Sequence, residues 1–312
     1  MAYDTAATPE PLITDWDATK ATAFGRESLV LRHTLHHRPM FDDAGLEQVL
    51  DRFPRDKLGV FTMGEDPVDW RSWRRGAAGS LTGSQLLDAA KTGRIWLNLR
   101  AVNTHLPDYA ALSDEMFRDL EANAPGLRTF KRDVGLLISS ANAQVFYHLD
   151  MPLVALWQLR GEKRMYVYPA AAPFVAADQL ERIATRDMPE QLPFDPAWDA
   201  RAKVFTMSPG DMVTWPQNAP HRIENGPMLN VSLSVEFMTP QALVRANVLY
   251  ANAVLRKRLG ASPRIPSGVG PSTVAKLGLA RAAKALRREP ERSAPPHSFR
   301  LDASRPGELL PV

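Results

Sequence analysis

The first part of the chain mixes helical and strand-like patterns of hydrophobic residues. An apolar series at spacings of three and four follows Asp42, which can cap a helix, and the series stops before Pro54. Apolar periodicity predicts further elements here: helices over 82–92 and 108–123, and strands over 57–63 and 95–99. We therefore predict an irregular lead-in over residues 1–29 and a mixed α/β extension over residues 30–130.

The middle of the chain changes to short β-rich runs broken by Gly, Pro and Asn. The predicted strands are 134–139, 144–150, 154–159, 164–168, 212–215 and 229–237. This texture is typical of an antiparallel barrel or sandwich, which we place over residues 131–238. A proline-rich insert over 170–201, with a short helix near 176–185, is predicted to form a lid that shapes specificity.

The last part of the chain, residues 239–312, is predicted to be a basic helical extension. Thr239 and Pro240 suit the start of a helix, and Gly260 suits its end; a second helix is predicted over 273–288. Residues 241–312 contain 13 Lys and Arg against 4 Asp and Glu, a net charge of +9, which leaves −6 for residues 1–240.

Composition narrows the classes of function. The chain has 312 residues and no cysteine, which excludes disulfide frameworks, thiolate metal sites and thiol nucleophiles. No apolar run approaches the roughly 20 residues that span a bilayer, and the start lacks the order of a secretory signal. We expect a soluble, cytoplasmic protein with no membrane partner.

The candidate chemistry lies in the β-rich segment. His148 and Asp150 are two residues apart, so on a strand they project to the same side. His221 follows 71 residues after Asp150 and could close a third corner. Two imidazoles and one carboxylate on one face of an octahedron suit non-haem Fe(II), whereas an isolated His-x-Asp pair is more often a hydrogen-bonded surface feature.

The stretch 210–225 resembles the second metal-binding motif of the cupin superfamily, G-x5-P-x-G-x2-H-x3-N. The matching residues are Gly210, Pro216, His221 and Asn225. Asn218 stands where the motif has its middle glycine, and Asn readily takes a positive φ.

A second stretch, 156–169, contains Gln158, Gly161, Lys163 and Arg164 and ends in Pro169. Together with the His-x-Asp pair, it resembles the cupin-like JmjC family of 2-oxoglutarate-dependent oxygenases over residues 135–237. The resemblance implies an α+β protein with a mainly β core: a double-stranded β-helix (jelly-roll or cupin barrel) with an α/β N-terminal extension and a helical C-terminal extension.

The resemblance also implies the chemistry. His148, Asp150 and His221 would bind Fe(II), and Lys163 would pair with the distal carboxylate of the cosubstrate 2-oxoglutarate. With O2, such a site hydroxylates a C–H bond and releases succinate and CO2. The implied substrate is an amino-acid side chain, free or in a peptide or protein, and demethylation would proceed through the same hydroxylated product.

The chain departs from the family at two positions. Val145 replaces a common Ser or Thr, and Val154 replaces a common Asn. Polar side chains that could hold the cosubstrate instead are Ser139, Gln144, Tyr147, Tyr166, Asn230 and Ser232. Two alternatives stay open: a non-catalytic cupin that binds or regulates, and a metal cupin enzyme that does not use 2-oxoglutarate.

Three further features have competing interpretations. Trp70 and Trp73 could edge a substrate site, but a half-buried packing role is favoured. The histidines at 33, 36 and 37 lack a carboxylate pattern and favour a surface or cap role. For the basic C-terminal helices we favour a solvated face or a homodimer contact over a nucleic-acid contact.

Overall fold

The computed structural model describes residues 11–261, 263–266, 268–286 and 295–312. Its strands are β1 (Leu29–Arg32), β2 (Gly59–Thr62), β3 (Arg74–Ala77), β4 (Ile95–Leu99), β5 (Phe130–Ser139), β6 (Gln144–His148), β7 (Leu153–Arg160), β8 (Lys163–Val167), β9 (Lys203–Met207), β10 (Asp211–Thr214), β11 (His221–Asn225), β12 (Asn230–Met238), β13 (Phe299–Leu301) and β14 (Leu309–Pro311). Its α-helices are α1 (Ala18–Ala23), α2 (Asp43–Arg52), α3 (Gly83–Thr92), α4 (Val102–His105), α5 (Pro107–Asn123), α6 (Ala177–Ala184), α7 (Pro240–Leu259) and α8 (Pro271–Leu286).

The strands form two sheets that face each other. The larger sheet has the order β1-β10-β7-β12-β5-β4-β2-β3-β13-β14, and the smaller has the order β6-β11-β8-β9. Apart from the parallel pair β3 and β13, the strands of both sheets pair antiparallel. The predicted α+β class with a β core is confirmed.

Strand alternation separates the two faces of the larger sheet. On β12, Leu233 and Val235 belong to the main hydrophobic core, which also holds side chains of α2, α3 and α5. The intervening residues Ser232, Ser234 and Glu236 face the space between the sheets, because successive side chains of a strand point to opposite sides. One face is therefore a dry core, and the other can hold a site.

The outer face of the smaller sheet is covered by the predicted insert. Leu180 and Ile183 of α6 pack with Tyr147, Tyr168 and Phe174 in a second hydrophobic cluster. Two backbone hydrogen bonds hold the insert at the edge of β6. The Leu149 N–H donates to the Glu190 carbonyl (3.2 Å), and the Leu192 N–H donates to the Tyr147 carbonyl (3.1 Å). The insert is thus built onto the sheet that carries the histidines.

Local capping explains the helices that the sequence predicts. The Asp42 side chain accepts the Gly45 N–H at the start of α2, and Thr82 forms a capping box with Gln85 at the start of α3. Thr239 caps α7, and Gly260 ends it at φ 61°. Arg288, the predicted end of the last helix, lies outside the described residues.

Several elements differ from the prediction. The lead-in contains α1, which Asp17 caps, and the C-terminal extension is helical only in part, since β13 and β14 extend the larger sheet. β9 was missed within the region that follows the insert. These segments have three to six residues, too few for periodicity to stand out. The larger sheet contains strands from several of the four predicted segments. The division of the chain into those segments stays a proposal.

Candidate metal centre

The three predicted ligands converge on the space between the sheets. β6 and β11 are antiparallel neighbours, and their register places His221 opposite His148. Asp150 lies two residues beyond His148, just after the end of β6. One ligand atom from each of the three residues lies within 4.8 Å of the other two, and among the described residues they are the only such His and carboxylate group.

The backbone orients both imidazoles. His148 Nδ1 lies 2.7 Å from the Phe146 carbonyl oxygen, and His221 Nδ1 lies 3.2 Å from the Ala219 carbonyl oxygen. Because a carbonyl oxygen only accepts, each Nδ1 carries the proton and each Nε2 keeps its lone pair. Both Nε2 atoms face Asp150, at 3.9 Å for His148 and 3.3 Å for His221.

This donor set fits a divalent transition metal. Metal–ligand bonds of about 2.1 Å at right angles would put neighbouring ligand atoms about 3 Å apart. The observed separations from Asp150, 3.3 and 3.9 Å, exceed this by less than 1 Å. Burial, with a smaller effect from neighbouring His148, lowers the pKa of His221 to about 4, so this imidazole is neutral at pH 7. A neutral imidazole is the form that binds a metal.

The loop before His221 adopts the backbone that the cupin-like motif predicts. Gly210 has φ 94° and Asn218 has φ 65°, in the left-handed region that asparagine tolerates. The Asn218 amide donates to the Asp150 carbonyl oxygen (3.0 Å), so this replacement for glycine also holds the backbone of a candidate ligand. Asn225 donates to Ser139 Oγ (2.8 Å) and to the Ser140 carbonyl oxygen (2.9 Å), which joins β11 to β5.

Lys163 occupies the opposite end of the space between the sheets. Val167 of β8 lies opposite His221, and Lys163 lies opposite Asn225, four residues or about 13 Å along the strand. Its ammonium donates to Ser232 Oγ (2.7 Å), and Ser232 donates in turn to the Gln158 side chain (2.7 Å). Lys163 is 4% exposed, and burial lowers its pKa to about 7.

The structure shows which partners the other predicted cosubstrate-binding side chains contact. Ser232 contacts Lys163 directly, and Asn230 joins the same network by accepting from the Gln158 amide (2.8 Å). Ser139 is held by Asn225, and the Gln144 amide is held by the Gly64 carbonyl (2.8 Å). These contacts fix the polar groups at the closed end of the barrel.

Two of the predicted cosubstrate contacts are misplaced. Tyr147 packs against Tyr168 and Phe194 on the outer face of the smaller sheet, and its hydroxyl donates to the Phe174 carbonyl (2.9 Å). Tyr166 also faces outward, where its hydroxyl donates to Glu224 (3.1 Å). Tyr166 faces outward by strand alternation, since it lies between Met165 and Val167 of the inner cluster. Tyr147 faces outward although Val145 lines the inner space, because the pairing of β6 with β11 is irregular between Val145 and His148.

A cavity of about 740 Å³ opens in front of the three ligands, and we call it the triad cavity. Its aromatic wall comprises Trp70, Trp73, Trp96, Phe146 and Trp215. Val145 and Val154, the two departures from the family pattern, also line it. Trp70 and Trp73 thus have the predicted packing role, in a small cluster with Phe146, and they also line this cavity.

Charged residues at the triad cavity were missed from the sequence. Arg100 lies 3.5 Å from Glu236 and 3.8 Å from Asp133, measured between side-chain N and O atoms. Burial and then the charge of Asp150 raise the pKa of Glu236 to about 8. The sequence does contain a signal for the direction of Glu236. Polar positions 232, 234 and 236 alternate with apolar ones on β12 and predict a polar inner face.

The histidines at 33, 36 and 37 lie outside this site. His33 is 3% exposed, so a surface role is wrong for it, and burial lowers its pKa to about 3. Its Nδ1 accepts the Leu35 N–H (3.1 Å), and its ring lies beside Trp157. This residue fixes a local turn against the main core.

Comparisons with known proteins give a match at the level of structure. No protein-family model and no curated protein sequence matches the chain. The X-ray structure of Escherichia coli YcfD has a TM-score of 0.52 and 20% identity, over 89% of this chain and 70% of that one. A second YcfD structure, described as a ribosomal oxygenase in complex with cobalt and 2-oxoglutarate, has a TM-score of 0.47 and 20% identity, over 85% and 64%.

The part of the chain that the structure describes contains no helix long and apolar enough to cross a membrane. The match to YcfD extends over 89% of this chain, which includes both sheets. The chain therefore has the fold of the Escherichia coli YcfD structure, a β core in which His148, Asp150 and His221 meet at an open cavity.

Proposed function

We propose that this protein is an Fe(II)- and 2-oxoglutarate-dependent oxygenase that hydroxylates a C–H bond of an amino-acid side chain. The observation that carries the proposal is the meeting of His148, Asp150 and His221 on one wall of the triad cavity. Three protein ligands on one face leave the other positions of an octahedral metal open to cosubstrate and O2. When bound, iron and 2-oxoglutarate supply the oxidising chemistry, in which 2-oxoglutarate becomes succinate and CO2.

The chain's own residues prepare the metal position. The Phe146 and Ala219 carbonyls hold the Nδ1 protons, so both Nε2 atoms are aimed at one point without rearrangement. Asn218 fixes the backbone at Asp150, which sets the third ligand. Such preorganisation limits the reorientation that metal binding requires.

Lys163 is the proposed anchor for the distal carboxylate of 2-oxoglutarate. It shares the inward face of β8 with Met165 and Val167 and is buried in a network of neutral side chains. A desolvated ammonium without an anionic partner is unfavourable, and an arriving carboxylate relieves that cost. The valines at 145 and 154 give the triad cavity an apolar wall beside the metal position.

The similar proteins provide limited support. YcfD structures are described with cobalt and 2-oxoglutarate, or with cobalt and succinic acid. These are the ligand classes that we propose for this chain. We base the assignment on the residues of the chain itself, because a likeness at 20% identity establishes the fold alone.

The cavity walls support a side chain as the substrate. Trp70, Trp73 and Trp96 offer flat apolar surfaces, and Arg100, Asp133 and Glu236 offer charged groups beside the metal position. Glu190 and Gln191 of the insert complete the wall, so the insert contributes to specificity. A screen of free amino acids, peptides and proteins, with and without methylated side chains, distinguishes these substrate classes and separates hydroxylation from demethylation.

The direct test is cosubstrate turnover. The purified protein is titrated anaerobically with Fe(II), exposed to air with 2-oxoglutarate and a panel of amino acids and peptides, and assayed for succinate and CO2. We expect iron-dependent succinate formation that Asp150→Ala abolishes. Turnover at the level of that variant with every substrate would overturn the proposal and favour a non-catalytic cupin.

A metal cupin enzyme that does not use 2-oxoglutarate is the other alternative. It would bind metal at the same three residues, but its activity would not change on Lys163→Ala. Measuring both metal binding and 2-oxoglutarate binding by calorimetry for wild type and Lys163→Ala separates the two functions. The oxygenase requires that Lys163→Ala weaken 2-oxoglutarate binding while metal binding persists.

We also propose a homodimer through the C-terminal helices. α7 and α8 pack together through Tyr250, Ala251 and Ala280, while Val274 and Leu286 of α8 stay 61% and 87% exposed. A second subunit that packed on α8 would remove these apolar side chains from water. Light scattering should show a dimer that Val274→Glu weakens; a monomer at all concentrations contradicts the proposed dimer.

The cytoplasmic location stays a prediction.

A further inference from the structure

A second large cavity, of about 760 Å³, lies behind the metal centre. It is bounded by α1, the turn that follows α5, the loop before Asn218 and the first turns of α7. Adjacent residues separate it from the triad cavity: Leu153 and Pro216 line the new cavity, whereas Val154 and Trp215 line the other. The two spaces are therefore lined by consecutive residues of β7 and of the loop that follows β10.

The lining of this cavity has charge of one sign. Arg26, Arg128 and Arg245 line it, and its lining includes no Asp or Glu. Within the described ranges, no ion pair joins any of the three guanidinium groups to a carboxylate. We call this space the arginine cavity.

Arg245 is the central group of the three. It is half-buried, and burial lowers its pKa, because no neighbouring anion compensates for the lost water. Its Nε donates to the Asn218 side-chain oxygen (2.9 Å), which fixes the direction of the guanidinium. Within the described residues, only Nε of Arg245 has a hydrogen-bond acceptor. The two terminal guanidinium nitrogens are therefore available to a ligand.

The rest of the lining is neutral and partly apolar. Phe24, Leu127 and Leu153 contribute hydrocarbon surface, and Thr22, Gln217 and Gln241 contribute uncharged polar groups. A space of this volume is within the usual range for small-molecule sites. The composition therefore suits a ligand with an anionic head and an apolar body.

We propose that the arginine cavity binds a small organic anion, whose carboxylate or phosphate group pairs with Arg245 while its apolar body lies against Phe24 and Leu153. A planar guanidinium matches either anion with paired hydrogen bonds. Arg26 and Arg128, both exposed at the edge, add attraction for the anion. This site is separate from the proposed oxygenase site and does not depend on it.

The test is calorimetry of the full-length protein with phenyl phosphate, phenylacetate and the neutral probe benzyl alcohol. We expect binding of at least one anion and much weaker binding of the alcohol. Arg245→Gln should weaken anion binding about tenfold or more, since a charge-assisted pair contributes roughly 1.5–3 kcal/mol. Arg245→Lys, which keeps the charge, should restore part of it. A preference between the two anions identifies the head group.

Two controls make the result specific. Arg258→Gln removes an exposed arginine further along α7, outside this cavity, and should leave the affinity unchanged. Lys163→Met removes the buried cation of the barrel and should also leave it unchanged. Melting curves for every variant show that each is folded.

Three results would overturn the proposal: no anion binding up to about 10 mM, equal affinity for wild type and Arg245→Gln, or loss of binding in Lys163→Met instead. The last would place the anion in the barrel. The double variant Arg26→Gln/Arg128→Gln provides a second test of the proposed site. It leaves the Arg245 contact to Asn218 intact and should weaken binding severalfold.

Discussion

The triad cavity and the arginine cavity have nearly equal volumes, about 740 and 760 Å³, but different chemistry. The first gathers imidazoles, carboxylates and tryptophans around a point where three ligand atoms meet. The second gathers guanidinium groups with no acid in its lining. Asn218 connects them, since it donates to the Asp150 carbonyl and accepts from Arg245.

The difference shows how each cavity is built. The triad cavity is formed by strand faces, so residues two apart reach it in order: 234 and 236 on β12, or 154 and 156 on β7. The arginine cavity is formed mainly by helices and loops, with lining residues from six separate stretches of the chain. Repeated strand geometry favours a rigid metal site, whereas converging loops favour a site whose ligand is set by charge.

The largest expected effect separates the two cavities. Asp150→Ala removes a proposed metal ligand and should reduce iron-dependent succinate formation by at least about 100-fold. The Asp150 carbonyl that Asn218 holds belongs to the backbone, so anion affinity at the arginine cavity should change by less than about twofold. Succinate assays and calorimetry on the same preparation measure both. Asp56→Ala, at an exposed aspartate, is the control.

Lys163→Met is expected to have opposite effects on function and stability. Loss of the cation should raise the KM for 2-oxoglutarate by about 30-fold or more, the equivalent of at least 2 kcal/mol. The cosubstrate-free protein should become more stable by about 2 kcal/mol, because a buried ammonium is replaced by an apolar chain of similar length. Chemical denaturation and steady-state kinetics check the two effects; unchanged KM contradicts the anchor role.

The same lysine predicts a pH dependence of stability. Below pH 7 the lysine is protonated in the folded and the unfolded chain, so its burial cost is fully present. Between about pH 7 and pH 10.5 the unfolded chain keeps a proton that the folded chain has lost, so this contribution to the free energy of unfolding rises with pH. Lys163→Met should remove that rise, and a parallel pH profile for the variant would contradict it.

Asn218 is the residue through which both cavities can be disturbed at once. Asn218→Gly keeps the positive φ but removes the hydrogen bonds to Asp150 and Arg245. We expect a loss of about 1 kcal/mol in stability and a severalfold weakening of both metal and anion binding. Asn218→Ala should cost about 1 kcal/mol more, because its Cβ disfavours this backbone. Equal stability of the two variants would contradict the backbone argument.

Val145→Thr tests the departure from the family pattern. The side chain lines the triad cavity, and Thr has nearly the same shape, so the variant should fold normally. Its hydroxyl adds a donor near the proposed cosubstrate and should tighten 2-oxoglutarate binding about threefold. Weaker binding, measured by calorimetry with Mn(II) present, would show that the apolar wall is itself required.

The smallest functional effect is expected at Tyr147. Tyr147→Phe removes the hydrogen bond to the Phe174 carbonyl and should lower stability by about 1 kcal/mol. The KM for 2-oxoglutarate should stay unchanged, because the hydroxyl lies on the outer face of the smaller sheet. A raised KM would return Tyr147 to the cosubstrate site.

The sequence predicted the meeting of three candidate metal ligands better than it predicted their surroundings. His148, Asp150 and His221 could be found because strand period and a spaced loop motif act over short distances. Tyr147 was assigned to the wrong face of β6, because the sequence does not show which face another segment covers. In the structure the insert covers the face that carries Tyr147. Glu236 was missed although alternation on β12 signalled its direction.

The fold shows the same division. Capped helices such as α2 and α3 were predicted nearly to the residue, because capping is local. β13 and β14 were missed, since both have three residues; β13 pairs with β3 across more than 200 residues, and β14 pairs with β13. The arginine cavity was also beyond sequence reasoning, because Arg26, Arg128 and Arg245 have no local pattern that joins them.

The central claim is that the triad and Lys163 together hold a metal and 2-oxoglutarate. Crystals grown anaerobically with Mn(II) and N-oxalylglycine, an unreactive analogue of 2-oxoglutarate, test it most directly. We predict one metal bound by His148 Nε2, Asp150 and His221 Nε2, with the far carboxylate of the analogue on Lys163 Nζ. A metal bound without the analogue near Lys163, or no metal at these three residues, would contradict the account.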